Sequence, residues 1–587
     1  MNRLIQVGLG LCLCVLVASG QVIDERLKPK TPPAPRKKGK QPEAPAAPAP
    51  SPEDEVQVTE KLDGIVFTKS KEDIKREGVT NIVGLDVRDI PILSGPEFSR
   101  VLAPYFGKPV KLATLKKMQR EVILYCRHHD RPLVDVIVPN QEVNPTNGIV
   151  QMILIEGRIG KITVKNEGRK WFRDEAITQL VRAQPGDVVS EKKLLADIDW
   201  LNRNPFREVN PAFRQGDQPG LSDLQLEVED RLPLRVFGGY EDTGTRLTGR
   251  DRVLGGFNWG DAFGLGHQLN YQYTADPSFD KLTAHSAGYV MPLPWRHTLS
   301  FFGSYVDINA DLPASFAGFD ETGLNYQAAL RYSVPLPLTK SYQHEFSIGL
   351  DFKHNKNDLL FNSATAFQTE TDVSQLAVGY NSSLSDRWGR TSFGLQGYYS
   401  PGGLVGKNEN EDFNGQHQGA TADYLYGRLT VERVTRLAWD CSFLLRGVAQ
   451  VASGNLIPSE QLGIGGYNTV RGYEEREANA DQGFVGSAEL RSPSFRVLGR
   501  VSKWKLEDQL QFLGFFDYGY VKNVHLATDE SPSHSDLESV GAGLRYTVNR
   551  YLAVRFDYAY RLVGSGVVGA SGEKTGSRAH VGAIISF

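Results

Sequence analysis

The chain is poor in cysteine and methionine, carries little net charge, and has no long apolar run in its interior. Four cysteines and four methionines occur among 587 residues, and the formal net charge is −3. Outside the N-terminal apolar run only Cys126 and Cys441 remain, too few for a disulfide framework. No later segment reaches the roughly 20 apolar residues of a transmembrane helix. These absences argue against a disulfide scaffold, a helical membrane protein and a nucleic-acid-binding protein.

Glycine and aromatic residues, in contrast, are abundant. The chain contains 59 glycines, 28 phenylalanines, 23 tyrosines and 7 tryptophans. Its mean hydropathy of −0.33 would suit a soluble protein. A transmembrane β-barrel has a similarly low mean, because only every second residue of its strands faces lipid. Composition therefore leaves two classes, a soluble multidomain protein and an outer-membrane barrel.

The N-terminus predicts export. Residues 1–20 contain Arg3, an apolar run from Leu4 to Val17 that is too short to span a bilayer, and small residues up to Gly20. This order is typical of a secretory signal peptide that is cleaved near Gly20. Residues 21–57 are rich in proline, which blocks helix and sheet, and in lysine, whose charges repel one another. We predict an extended linker there.

Two α/β units follow the linker, over residues 58–157 and 158–231, each with the order β-α-α-β-β. Each unit leaves an open sheet edge, which suits the addition of a strand from a partner peptide. The predicted strands are 62–67, 133–138, 149–155, 160–165, 209–214 and 224–229, and the predicted helices are 95–106, 113–128, 174–183 and 191–202.

Residues 232–587 predict a closed antiparallel β-barrel. In Leu552–Tyr560, for example, alternate residues are apolar or aromatic, whereas Arg555 and Asp557 lie on the other face. An even number of such strands can close without leaving unpaired edges in lipid. The alternative, a soluble β-sandwich, fits the length of the run and the signal peptide less well. The sixteen predicted strands are 234–241, 251–259, 267–275, 281–291, 296–307, 323–334, 342–353, 373–384, 389–399, 420–433, 438–450, 480–491, 508–521, 537–547, 550–560 and 579–587.

Two motifs within the barrel region point to a family. The longest gap between strands, residues 451–479, contains the string GGYNTVRGYEE, and the thirteenth strand carries F-x-D-x-G. Together they resemble the two signature motifs of Omp85-superfamily transporters. The VRGY form is similar to that of the two-partner-secretion branch, which comprises the haemolysin-activator and filamentous-haemagglutinin transporters (TpsB). The motif residues are Val470, Arg471, Gly472 and Tyr473 in the loop, and Phe515, Asp517 and Gly519 in the strand.

The region before the barrel agrees with this resemblance, which covers nearly all of residues 60–587. Pro139, Gln141, Glu156 and Gly157 resemble residues at the end of the family's first POTRA domain, and residues 158–231 resemble its second. The resemblance therefore implies a fold of α/β POTRA domains followed by a 16-stranded antiparallel transmembrane β-barrel. Two departures from the family pattern stand out. Gln21–Leu27 is shorter than the helix that typically plugs the pore in this family, and Ser70–Val79 looks like an insertion early in the first POTRA domain.

The resemblance also implies a contact between the loop and the barrel wall. Strand alternation places Asp517 on the inward face, together with Glu489 and Arg491 of the twelfth strand. The family's motifs imply that Arg471 pairs with Asp517, bidentate if the geometry allows. Our hypothesis is that this pair holds the long loop inside the barrel so that a substrate path exists.

The function implied by the resemblance is secretion of an exoprotein through an outer-membrane pore, with POTRA domains on the periplasmic side. The implied partner is a TpsA-like exoprotein with a β-helical secretion domain. We expect a monomer in outer-membrane lipid that binds no nucleic acid, cofactor or metal and is not an enzyme. The alternatives are an outer-membrane protein insertase of the same superfamily, a diffusion porin and a barrel enzyme.

Two other clusters contain residue types that can ligate metals. Cys126–Asp130 contains adjacent histidines, which diverge on a helix, and no further ligand cluster is evident. Residues 408–412 are acidic, but they lack the glycine and the closing glutamate of a calcium loop. No nucleophile-base set or phosphate-binding motif is present in the sequence. A surface helix end and a solvated loop are the better interpretations.

Overall fold

The computed structural model describes residues 52–146, 148–218, 220–312, 319–339, 341–361, 364–498, 507–526, 534–564 and 576–587. The predicted signal peptide and most of the predicted linker lie outside these residues. The described chain divides into an α/β unit that ends at Arg231 and a β-barrel unit that begins at Leu232. Among the described residues, no helix is both long and apolar enough to cross a membrane.

The first α/β domain packs two helices on a four-stranded sheet of order β3-β2-β6-β5, with a separate pair β1-β4. Apolar residues at helical spacing in α2, from Leu115 to Cys126, are buried against the sheet. Burial raises the pKa of the Cys126 thiol to about 12, so this thiol stays protonated and unreactive. The elements are β1 Gln57–Thr59, β2 Leu62–Thr68, β3 Gly84–Val87, α1 Pro96–Leu102, β4 Val110–Lys111, α2 Leu112–His128, β5 Val134–Ile137 and β6 Gly148–Glu156.

Two features of this domain differ from the expectations. Residues 52–57 are not an extended linker, because Pro52–Glu55 forms a 3-10 helix and β1 begins at Gln57. An ion pair helps to hold this segment against α2, since Asp54 lies 2.6 Å from the Nζ of Lys116. The edge strand β3 was also not expected from the sequence.

The insertion Ser70–Val79 forms neither helix nor strand and is tied to the sheet through one side chain. The backbone N–H of Lys75 donates to Oε1 of Gln151 at 3.0 Å, and Nε2 of Gln151 donates back to the Lys75 carbonyl at 2.8 Å. Gln151 is a buried residue of β6. The insertion is therefore held on the sheet by the amide of Gln151.

The second α/β domain has a three-stranded sheet of order β7-β9-β8. The predicted helix 174–183 is wrong beyond Thr178, where α3 ends. The buried carboxylate of Asp197 accepts the backbone N–H groups of Arg182 and Ala183 at 3.0 and 3.4 Å, which favours a turn over a continued helix. The elements are β7 Arg158–Asn166, α3 Asp174–Thr178, α4 Glu191–Leu201, β8 Arg207–Gln215 and β9 Leu221–Asp230.

The barrel unit confirms the prediction of sixteen antiparallel strands, closed by pairing of β10 with β27. Every predicted strand has a counterpart. The strands are β10 Leu234–Glu241, β11 Arg252–Ala262, β12 His267–Ala275, β13 Leu282–Pro292, β14 Thr298–Ala310, β15 Phe319–Pro335, β16 Tyr342–Phe361, β17 Ala364–Asp386, β18 Gly389–Pro401, β19 Asp423–Arg436, β20 Ser442–Ala452, β23 Gln482–Arg491, β24 Asp508–Lys522, β25 His534–Val548, β26 Leu552–Arg561 and β27 Gly576–Ser586.

Strands β15, β16 and β17 are longer than expected, with 17, 20 and 23 residues. On the outward face of β16, the apolar residues Phe346, Ile348 and Leu350 are followed by His354, which pairs with Asp372 of β17 at 2.7 Å. A polar pair on the outward face marks the end of the lipid-facing band. These three strands therefore extend beyond that band.

Candidate functional site in the barrel lumen

The loop between β20 and β23, residues 453–481, folds into the barrel; we call it the lumen loop. It contains a short hairpin, β21 Leu462–Ile464 and β22 Ala478–Ala480. Gly465 and Gly466 follow β21 with φ of +103° and +102°, a left-handed conformation that favours glycine. Apolar side chains of the loop pack on the inner wall formed by Val485, Val521 and Leu537. The sequence placed this loop at 451–479, two residues too early at each end.

Arg471 is the central residue of the contact between the lumen loop and the wall. It is 2% exposed. Its Nε and Nη2 donate to the two carboxylate oxygens of Asp517, both at 2.7 Å, and its backbone N–H donates to Asp517 at 3.1 Å. Its Nη1 donates to Glu489 at 2.8 Å. The contact implied by the family resemblance is thus present and is bidentate, the geometry for which a guanidinium is suited.

The other two residues of the strand motif also touch the loop. The Phe515 ring lies under the Arg471 guanidinium, 3.4 Å from its central carbon to the ring centroid. A Cβ at Gly519 would lie 2.9 Å from Cγ2 of Val470, closer than real Cβ contacts. Phe515, Asp517 and Gly519 are spaced two residues apart on β24, so all three lie on its inward face. They provide an aromatic ring, a carboxylate and, at Gly519, room for the loop to approach the wall.

Gly472 and Tyr473 continue the contact toward β25, β26 and β27. Gly472 has a φ of +95°, and its backbone N–H donates to Nε2 of His580 at 3.0 Å. Nε of Arg561 donates to the Gly472 carbonyl at 2.5 Å. Tyr473 has no exposed surface, and its hydroxyl donates to the Glu538 carbonyl at 2.9 Å. All four residues of the loop motif are therefore buried against the wall.

Sequence reasoning missed the charged residues that complete this cluster. Asp557 is fully buried, lies 3.5 Å from Arg471, and receives hydrogen bonds from Arg545 at 2.8 Å and from Arg555 at 2.7 Å. Strand alternation puts Arg555 and Asp557 on the polar face, but partners on neighbouring strands follow only from the register. Arg491 contacts the loop only indirectly, through Glu489 at 2.6 Å.

The motif residues of the first α/β domain serve a local role there. Nε2 of Gln141 donates to the Gln151 carbonyl at 2.7 Å and to the Pro139 carbonyl at 3.2 Å. Glu156 pairs with Arg131 at 2.9 Å. A Cβ at Gly157 would lie 2.8 Å from Cβ of Leu133. These residues fix the end of the sheet and the start of the second domain.

Within the described ranges, no group of three or more histidine, cysteine, aspartate or glutamate residues is arranged to hold a metal ion. His129, one of the residues weighed above, instead stacks on Tyr125 with ring centroids 4.0 Å apart. The cluster around Arg471, which we call the lumen cluster, instead joins the lumen loop to the barrel wall by ion pairs.

Comparison with known proteins places these features in a family context. A family model described as haemolysin secretion/activation protein ShlB/FhaC/HecB matches residues 220–546. The heme/hemopexin transporter protein HuxB of Haemophilus influenzae (strain 86-028NP) is 22% identical over 466 residues, 77% of this chain and 78% of HuxB. The outer membrane transporter CdiB of Dickeya dadantii (strain 3937) is 23% identical over 394 residues, 65% of this chain and 66% of CdiB.

Two solved structures share the fold. CdiB from Escherichia coli matches with a TM-score of 0.71 at 16% sequence identity, over 93% of each chain. CdiB from Acinetobacter baumannii matches with a TM-score of 0.61 at 17% identity, over 96% of this chain and 95% of that chain. These similarities show that the chain has the fold of the two CdiB structures.

Proposed function

The chain belongs to the haemolysin secretion/activation protein family ShlB/FhaC/HecB, and we propose that it secretes one partner exoprotein through its barrel. It is an outer-membrane protein whose POTRA domains lie on the periplasmic side. The observation that carries the proposal is the Arg471 cluster, which fixes a long loop inside the lumen. A loop held on one wall by buried ion pairs narrows the pore without filling it with a separate domain.

The partner is a TpsA-like exoprotein with a β-helical secretion domain, caught in the periplasm by the POTRA domains. The transporter acts as a monomer in outer-membrane lipid and does no enzymatic chemistry. Support comes from the relatives, one described as a heme/hemopexin transporter and another as an outer membrane transporter. Directional export in this scheme needs no nucleotide, because folding of the exoprotein outside the cell withdraws it from the pore.

Comparison of secreted proteins tests this function. Deletion of the gene should remove one large protein from the culture medium and from the cell surface, and the full-length chain should restore it. Quantitative mass spectrometry of medium and membranes measures both. Loss of many outer-membrane barrels instead would indicate an insertase and contradict the proposal.

The role of the lumen cluster is tested by reversing the charge of Asp517. Asp517→Arg places a second guanidinium against Arg471 and should abolish secretion while the barrel stays folded. Heat-dependent mobility of the barrel in SDS gels monitors folding. Glu432→Gln is a suitable control, because Glu432 lies on the wall and pairs with Arg446 of the next strand, at 2.8 Å. Full secretion by Asp517→Arg would rule out the proposed role of the pair.

A further inference from the structure

The two α/β domains meet at a joint with a linker of a single residue. Strand β6 of the first domain ends at Glu156, and strand β7 of the second begins at Arg158. Between them, the N–H of Gly157 donates to the Leu133 carbonyl of the first domain at 2.8 Å, and the Gly157 carbonyl accepts the N–H of Val189 of the second at 3.0 Å. A linker this short, bonded on both sides, leaves little room for a hinge.

Asp130 reaches across this joint from the first domain to the second. One oxygen of its carboxylate accepts the hydroxyl of Ser190 at 2.6 Å, and the other accepts the backbone N–H of Lys192 at 2.7 Å. Ser190 is the N-cap of α4, and Lys192 lies in the first turn of that helix. The first N–H groups of a helix have no partner within it and carry a partial positive charge, so a carboxylate stabilises this end. A residue of one domain thus caps a helix of the other.

The backbone of Asp130 is strained in a way that points to this role. Asp130 follows the C-cap of α2 with a φ of +68°, and the next N–H, that of Arg131, donates to the Cys126 carbonyl at 3.0 Å. This is a Schellman ending, in which glycine is the favoured residue at the left-handed position. An aspartate there makes the end of the helix less stable than a glycine would. Such strain is typical of a position whose side chain is needed, and the side chain here is the carboxylate that caps α4.

The residues after Asp130 complete the joint. Nε of Arg131 donates to Glu156 at 2.9 Å, and its Nη1 donates to the Asp130 carbonyl at 3.2 Å. Leu133 packs against the apolar core of the second domain. The next residue, Val134, begins β5, which is an edge strand of the first sheet. The joint therefore sets the position of this open edge relative to the second domain.

We propose that Asp130 joins the two POTRA domains into one rigid receptor, so that the exoprotein meets the open edges of both sheets, β5 in the first domain and β8 in the second, in a fixed arrangement. The inference rests on the proposed function, because it assigns a shared task to the two domains that catch the exoprotein. Asp130 is a positioning residue, which acts through α4 and does not need to touch the exoprotein.

Distances between spin labels, measured by double electron–electron resonance on the full-length chain in lipid nanodiscs, test the rigid joint. The labels are attached at two exposed positions, Arg120→Cys in α2 and Gln179→Cys after α3. Cys441→Ser removes the partly exposed native thiol, whereas Cys126 is buried. The chain that keeps Asp130 should give one narrow distribution of distances, and Asp130→Gly should at least double its width.

Asp130→Gly separates the joint from the fold of each domain. Glycine suits a φ of +68° better than aspartate does, so the end of α2 should still form, and only the contact with α4 is lost. Secretion of the protein identified by the gene deletion should fall severalfold, while the amount of folded barrel stays the same. Asp130→Asn keeps a residue that tolerates this φ and one acceptor oxygen for α4, and should recover part of both readouts.

The matched control is Asp89→Gly. Asp89 is an exposed aspartate of the first domain with a φ of +56°, so the same exchange is made at the same kind of backbone position. It should change neither the distances nor secretion. An unchanged width in Asp130→Gly would overturn the rigid joint, and a doubled width with full secretion would overturn the shared receptor. Because the distances need no exoprotein, either failure is distinct from failure of the proposed function, which secretion by the unaltered chain reads.

Discussion

The lumen loop is held at two places, and the two differ in chemistry. At Arg471, a planar guanidinium is bidentate to Asp517, bonds Glu489 and lies on the ring of Phe515. At Glu460, one carboxylate accepts hydrogen bonds from the ammonium of Lys353 and from the hydroxyls of Tyr426 and Ser459. Both contacts are buried, but only the first involves a planar guanidinium that bonds two carboxylates in fixed directions. Two buried contacts of one loop therefore differ in the geometry of their hydrogen bonds.

The largest effect should come from removing the guanidinium. Arg471→Ala leaves Asp517, Glu489 and Asp557 without their shared partner, and breaking a buried ion pair in this way costs about 3–5 kcal/mol. Arg471→Lys should recover only part of this loss, because an ammonium cannot be bidentate. The rate at which protease cleaves the lumen loop reports the open fraction. Equal cleavage in Arg471→Lys and the unaltered chain would show that bidentate geometry is unimportant.

A smaller effect should come from filling the space at Gly519. Gly519→Ala puts a Cβ 2.9 Å from Val470 and 3.2 Å from Ile464, so the loop must move away from the wall. Overpacking of this kind costs about 1–3 kcal/mol. We expect faster cleavage of the loop and weaker secretion. Gly514→Ala is the control on the same strand, because its nearest neighbour would be an ordinary 3.9 Å away; equal effects of the two variants would contradict the close approach.

The smallest effect should come from the ring below Arg471. Phe515→Leu keeps apolar volume but removes the cation–π contact, worth about 0.5–2 kcal/mol. Loop cleavage should rise modestly, and barrel folding should not change. In Glu460→Gln the added effect of Phe515→Leu should be the same, since the two contacts are independent. A larger effect in the double variant, measured by the same cleavage assay, would show that the contacts of Arg471 and Glu460 are energetically coupled.

Much of the fold could be predicted because its signals are local. Alternation along each strand is a property of neighbouring residues, and all sixteen barrel strands were found from it. The helix after Asp174 was predicted too long because Asp197, which caps the following turn, comes from another element of the fold. Strand β3 was missed because four residues are too short a run for a periodic signal.

The candidate site was likewise predictable from the sequence only in part. Alternation indicated that Asp517 and Glu489 face inward, and the family motifs named Arg471. The contacts of Asp557, Arg545 and His580 could not be read in advance, because they depend on the register of β25, β26 and β27. Lys353 and Glu460 are 107 residues apart and carry no motif.

By itself, the sequence determined the number of barrel strands and which side chains of each strand face the lumen. These follow from apolar periodicity, which acts over a few residues. Only the tertiary structure decided which wall strands the lumen loop contacts and which charges meet there. Barrel closure brings strands that are distant in the chain around one lumen, and a buried charge must find its partner in that enclosed space, however far apart the two residues lie in the chain.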